Sequence, residues 1–359
     1  MKKGITVRRI EIEESGLING DDAVYPSLIR LDERNIIAGF SLGGPSATGG
    51  THWARSADGG RSWAWGGTIL HPDTDPPTRN TLRLSRSEDG TFLAYGMRAE
   101  IRPGKIEFAA DKRREGVLCR SVNEGRSWSA PEVILAAVEG GWEISNPIVE
   151  LDAGRWLAPA ATLAHPDRLG ERVITRISDD FGRTWSDSAI VFQDPDGRMG
   201  FFENKLIKIG QRQLLATAWT VLMGSYLDVE NHFAISRNGG ESWSSSCSTG
   251  ISGQTLTPIW LRGNELLVLY NRRRGHQSIQ IALVHFSDTS WSIECEHTLY
   301  DAQSTYEVDV RKERQTDEFK TFRFGLPCAI QLTSETILAA YWCQRGEHYE
   351  VRWSRIRLN

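Results

Sequence analysis

The chain has 359 residues, with 42 basic against 46 acidic side chains and a formal net charge of −4. That balance excludes the strongly basic footprint of a nucleic-acid or anionic-membrane binder. Thirteen tryptophans, 34 glycines and 13 prolines, without a long helical period, predict many short strands joined by tight turns.

In chain order, the first expected element is a strand over 5–12, where apolar and polar residues alternate. The positive start Met1-Lys2-Lys3 is followed by no apolar run, so no signal peptide or membrane span is expected and cytoplasmic residence is the default. A strand–turn–strand unit then recurs six times. Its copies cover 25–31 with 36–40, 80–85 with 91–95, 146–151 with 156–159, 204–209 with 214–217, 257–261 with 266–270, and 326–332 with 337–341. A final strand over 349–358 is positioned to meet the first one, clasping a ring and covering its edge. No linker divides the chain, so 1–359 reads as one domain. The five cysteines (119, 247, 295, 328, 343) show neither disulfide nor metal spacing, and no cofactor or metal is expected.

Out of phase with these pairs lies a second repeat: Ser56 to Trp63, Ser121 to Trp128, Ser178 to Trp185 and Ser236 to Trp243. The frame is Ser-x-Asp/Asn-x-Gly-x-Ser/Thr-Trp, with successive starts 65, 57 and 58 residues apart. A shortened version covers 287–291. The Asp or Asn accepts backbone N–H groups ahead of it, Gly supplies a positive φ, and Trp pins the loop. Asn at 123 and 238 keeps the acceptor oxygen without the charge, so the motif is structural rather than catalytic. A motif at a nearly fixed period means repeated supersecondary units.

This turn is the Asp-box, and over the whole chain the sequence resembles the sialidase (neuraminidase) superfamily. The resemblance implies an all-β fold, a six-bladed propeller of four-stranded antiparallel blades. It also implies a site around the central axis on the face opposite the turns. Two features depart from sialidases: Val24-Tyr25-Pro26 stands where those enzymes carry Arg-Ile-Pro, and the usual early acid/base Asp has no counterpart. Tyr306 and Tyr341 are the tyrosines considered as nucleophile.

Loop sides alternate along a blade, so topology selects the residues of that face. Glu143 and Glu203 supply the paired carboxylates that glycoside hydrolysis needs. His52 and His165 are candidate bases or hydroxyl ligands. Arg79, Arg98, Arg272 and Arg273 are candidates to clamp a carboxylate, Asn146 and Asn271 to bind hydroxyls, and Trp219 to stack on a sugar. The expected activity is exo-acting hydrolysis of a small oligosaccharide with an acidic terminal sugar. A uronate-directed lyase and a non-catalytic glycan-binding propeller are the alternatives.

Overall fold

The computed structural model describes residues 9–101, 113–137, 140–152, 154–163, 168–186, 188–306 and 322–359. Six antiparallel sheets form the blades. Blade 1 holds β2 (Val24–Arg30), β3 (Ile36–Leu42), β4 (Gly50–Ser56) and β5 (Ala64–Leu70). Blade 2 holds β6 (Thr78–Arg86), β7 (Phe92–Glu100), β8 (Arg114–Ser121) and β9 (Glu132–Leu135). Blade 3 holds β10 (Trp142–Glu143), β11 (Val149–Glu150), β12 (Trp156–Thr162), β13 (Arg172–Ser178) and β14 (Ala189–Gln193). Blade 4 is β15 (Met199–Gly210), β16 (Gln213–Leu222), β17 (Glu230–Ser236) and β18 (Cys247–Ser252). Blade 5 is β19 (Gln254–Arg262), β20 (Glu265–Arg272), β21 (Gly275–Phe286) and β22 (Trp291–Tyr306). Blade 6 is β23 (Phe324–Gln331), β24 (Thr336–Arg345) and β25 (His348–Leu358), completed by β1 (Ile10–Asn19).

The second strand of each blade is apolar on both faces because it lies between two neighbouring blades, and the hydrophobic cores follow from that. Ile36 packs toward blade 6 and Ile37 toward blade 2. Leu214 packs toward blade 3 and Leu215 toward blade 5. Leu266 and Leu267 divide in the same way, as do Ile337 and Leu338. Consecutive strand residues point to opposite faces, so each apolar pair joins two cores and the cores run around the ring. Burying one such side chain stabilises by roughly 1.5–3 kcal/mol.

The four turns sit between third and fourth strands and are built as their residue types require. In the first, Asp58 Oδ1 accepts the N–H groups of Arg61 (3.0 Å) and Ser62 (2.9 Å), and Oδ2 accepts the Ser62 hydroxyl at 2.6 Å. Asn123 and Asn238 accept the Ser127 and Ser242 N–H groups, each at 3.0 Å. Gly60, Gly125, Gly182 and Gly240 have φ between 72° and 92°.

The clasp is present but shifted: β1 pairs with β25 from Ile10↔Leu358 to Asn19↔Val351, whereas residues 5–8 of the expected strand lie outside the described residues. A second departure is the inner strand of blade 3. Only Trp142–Glu143 and Val149–Glu150 pair with β12, and the intervening residues leave their own blade. They are held instead by blade 4. The Asn146 amide accepts the Leu206 N–H at 3.2 Å and donates to the Leu206 carbonyl at 3.5 Å, while the Ser145 hydroxyl donates to the Asn204 carbonyl at 3.3 Å.

Candidate functional site

Four innermost strands carry a bulge at one equivalent position, and each bulge holds a non-glycine residue in the left-handed region: Tyr25 (φ 59°), Glu203 (44°), Thr255 (57°) and Leu326 (41°). Such residues cost roughly 1–3 kcal/mol each, and the bulges turn side chains toward the axis. A cavity of about 190 Å³ opens there, lined by Tyr25, Glu143, Phe202, Glu203, Trp219, Arg273 and Trp342 among others. That is below the ~300–1,000 Å³ of drug-sized sites.

Glu143 and Glu203 come together at this cavity. Glu143, on β10, accepts the backbone N–H of Glu203 through Oε2 at 3.0 Å. Burial and the neighbouring Glu143 carboxylate push Glu203 up to about 7, against the pull of Lys205, Arg273 and Arg83. Glu143 is also raised, by burial, with Lys205 and the Glu203 amide opposing. Glu203 Oε2 is buried and has no protein hydrogen-bond partner, which leaves that oxygen for a ligand or a proton.

Three cations stand close by. Lys205 donates to the Ser145 carbonyl at 2.5 Å, and Arg83 donates to the Tyr25 carbonyl at 2.9 Å. Arg273 donates through Nε to Gln254 at 2.9 Å and lies 4.1 Å and 4.4 Å from the ring centroids of Phe322 and Phe324. Burial lowers Lys205 to about 8 and Arg273 to about 10. Gly325 (φ 154°) shapes this corner, since a Cβ there would come within 2.5 Å of Arg273 Nη2 and 3.4 Å of Asn271 Nδ2.

Aromatic residues complete the wall. Trp219 packs on Phe202 with centroids 5.4 Å apart, and its Nε1 donates to Asp228 Oδ1 at 2.8 Å. The other Asp228 oxygen accepts Arg274 Nε at 3.0 Å, tying loops of blades 4 and 5. Trp342 meets Tyr25 edge-on at 6.0 Å. The Tyr25 hydroxyl donates to the Pro45 carbonyl at 2.8 Å, and burial pushes it up to about 12.

The other residues singled out from the sequence go elsewhere. His52 lies in β4. Its Nε2 bonds the Gly49 carbonyl (2.9 Å), its Nδ1 meets the Thr68 hydroxyl (3.1 Å), and its ring packs on Trp65 rather than lining the cavity. His165 lies outside the described residues. The guanidinium of Arg98 is held by Glu115, with Nε at 2.8 Å, and Arg272 by Glu296 at 2.8 Å. Arg79 donates to the Ser46 carbonyl at 3.5 Å. Of the four arginines, Arg273 alone is among the cavity-lining residues. Asn146 serves the blade seam, and Asn271 is buried beside Arg273 and Gly325. Tyr341 is packed between blades 5 and 6, against Tyr300.

Lys205 and Arg83 were not anticipated. Both occupy the inner-strand position that Ser27, Thr257 and Cys328 occupy in other blades, as the shared register shows. A charge at an otherwise small or apolar position of the repeat is the signal that could have found them.

No described protein family matches the sequence, and neither does any curated protein. Solved structures do match. A protein of unknown function from Dyadobacter fermentans superposes with a TM-score of 0.75 at 20% identity, covering 98% of this chain and 99% of that one. The α-L-arabinofuranosidase of Fusarium graminearum, solved with arabinobiose, gives 0.67 at 10% identity over 96% and 98%. The NanB sialidase of Streptococcus pneumoniae gives 0.65 at 11% identity over 96% and 70%. The fold is therefore a sialidase-like six-bladed propeller, an architecture shared with glycoside hydrolases of differing substrates.

Proposed function

We propose that the protein is an exo-acting glycoside hydrolase for a small oligosaccharide with an acidic terminal sugar. The observation that carries this reading is the meeting of Glu143 and Glu203 at one small axial cavity, with Glu203 raised to about 7. Two carboxyl groups whose environments set them apart are what glycosidic cleavage uses. Protonated Glu203 delivers its proton to the leaving oxygen. Glu143, whose Oε2 accepts the Glu203 N–H across the seam, supports the positive charge that develops on the sugar ring or activates water. Arg273, beside Glu203 and walled by aromatic rings, suits the sugar carboxylate, and Trp219 offers an apolar face for the ring. Arg83, Lys205 and Arg273 outnumber the two carboxylates, which favours an anionic substrate.

The test is incubation with oligosaccharides ending in sialic acid, hexuronic acid or neutral sugars, read by mass spectrometry. Products that together gain one water, from acidic termini only, support the reading. Cleavage without that gain would mean elimination. Binding without cleavage at any enzyme concentration would leave a glycan-binding propeller. Residence in the cytoplasm, where imported oligosaccharides would be met, is part of the same proposal. Among the described residues, no helix is long and apolar enough to cross a membrane.

A further inference from the structure

Lys205 lies on the blade 4 side of the seam with blade 3, two residues after Glu203 on the same strand, and is 8% exposed. Its Nζ reaches across to the carbonyl of Ser145, two residues after Glu143. The Glu203 amide reaches across the same seam to the Glu143 carboxylate. The two carboxylate-bearing segments are thus cross-tied where the inner strand of blade 3 has left its own sheet.

We propose that Lys205 is a positioning residue: its ammonium fixes the Glu143 segment by holding the Ser145 carbonyl and sets the charge of the Glu143–Glu203 pair. This inference rests on the reading that these two carboxylates do proton chemistry. Tyr25 from blade 1 and Arg273 from blade 5 face Glu203, Arg83 from blade 2 faces both acids, and Cys328 from blade 6 faces Lys205 on blade 4. Arg83 is tied to the Tyr25 carbonyl and Arg273 to Gln254, whereas Lys205 stands on the strand of one acid and holds the segment of the other. Burial pushes the Cys328 thiol up to about 12, so it stays neutral. Burial lowers Lys205 to about 8, still above the about 7 of Glu203, so the ammonium keeps most of its charge at the Glu203 midpoint.

The experiment reads carboxyl protonation without substrate. Carbodiimide with a labelled amine modifies protonated carboxyl groups, and peptide mass spectrometry follows the initial rate at Glu203 from pH 5 to 9. The midpoint for the unaltered protein is expected near 7. Removing an adjacent cation raises a carboxyl pKa by about 1–3 units, so Lys205→Met moves the midpoint upward by about one unit or more, and Lys205→Arg restores it. The control is Lys208→Met. Lys208, three residues further along β15, ties the same two blades by donating to the Leu151 carbonyl, whereas Lys205 holds the segment of Glu143. Lys208→Met should leave the midpoint in place.

An unshifted midpoint in Lys205→Met overturns the proposal, and so does an equal shift in Lys208→Met. A second measurement covers a Lys205→Met protein that does not fold. In Glu203→Gln, initial acylation of Lys205 should show its midpoint lowered by about one unit; an unchanged midpoint overturns the proposal. Because neither readout needs turnover, shifts without any hydrolysis sink only the glycosidase reading, and hydrolysis without shifts sinks only the role of Lys205.

Discussion

Replacing Glu203 with Gln should abolish turnover and yet stabilise the fold at alkaline pH. The carboxyl group moves from an ordinary 4.5 to about 7 on folding, through burial and the Glu143 charge. A raised carboxyl makes the folded state bind its proton more tightly than the unfolded state does. The stabilising contribution is full below about 4.5 and is lost as pH rises to about 7. At 1.36 kcal/mol per unit the loss is about 3 kcal/mol. With an unfolding entropy of about 2.1 cal/mol/K per residue, this amounts to ~4 °C in Tm for a chain of this length. Glu203→Gln removes the ionisation, so at pH 8 it should melt ~4 °C above the unaltered protein, the two converging near pH 4. Calorimetric scans at the two pH values decide it. A variant that melts below the unaltered protein at pH 8 would mean the surrounding cations hold Glu203 ionised, and the acid assignment would fall with it.

Turnover itself should fall about tenfold per pH unit above about 7, as Glu203 loses its proton, in a kcat/KM profile on whichever substrate responds. Glu143→Gln should lower kcat by about 10²-fold or more while the circular dichroism melt stays cooperative. Gly325→Ala places a Cβ within 2.5 Å of Arg273 Nη2. It should raise KM for an acidic sugar by about tenfold or more with little change for a neutral one, and equal effects on both would remove Arg273 from carboxylate recognition. Asp58→Ala loses four turn bonds and should cost about 1–2 kcal/mol. Asp58→Asn, which copies Asn123 and Asn238, should cost under about 0.5 kcal/mol by thermal melt.

Blade number and turn geometry were legible because they are local: a Ser, an Asp or Asn, a Gly and a Trp close their own loop within eight residues. The interruption of the third inner strand was not, because Asn146 pairs across to Leu206 and leaves a pattern that still reads as a strand. Glu143 and Glu203 were legible because loop sides alternate along a blade. The run 272–274 misled for a related reason. Neighbouring residues where a strand ends point different ways, so Arg272 goes to Glu296, Arg273 to the cavity and Arg274 to Asp228. His52 had the right chain position, but both its ring nitrogens are engaged within its own blade. Lys205 was passed over since a lysine in an alternating strand reads as solvent-facing, and only closure of the ring turns that face inward.

The clasp between β1 and β25 also decides how the ring would yield to force. Arg9 and Asn359 exchange backbone hydrogen bonds at 3.0 Å in both directions, so the two chain ends leave from the same end of the antiparallel pair. Tension applied through them loads these hydrogen bonds one after another instead of all at once. The sixth blade would therefore peel open like a zipper at low force, and the five blades without a terminal strand would be reached only after it had let go.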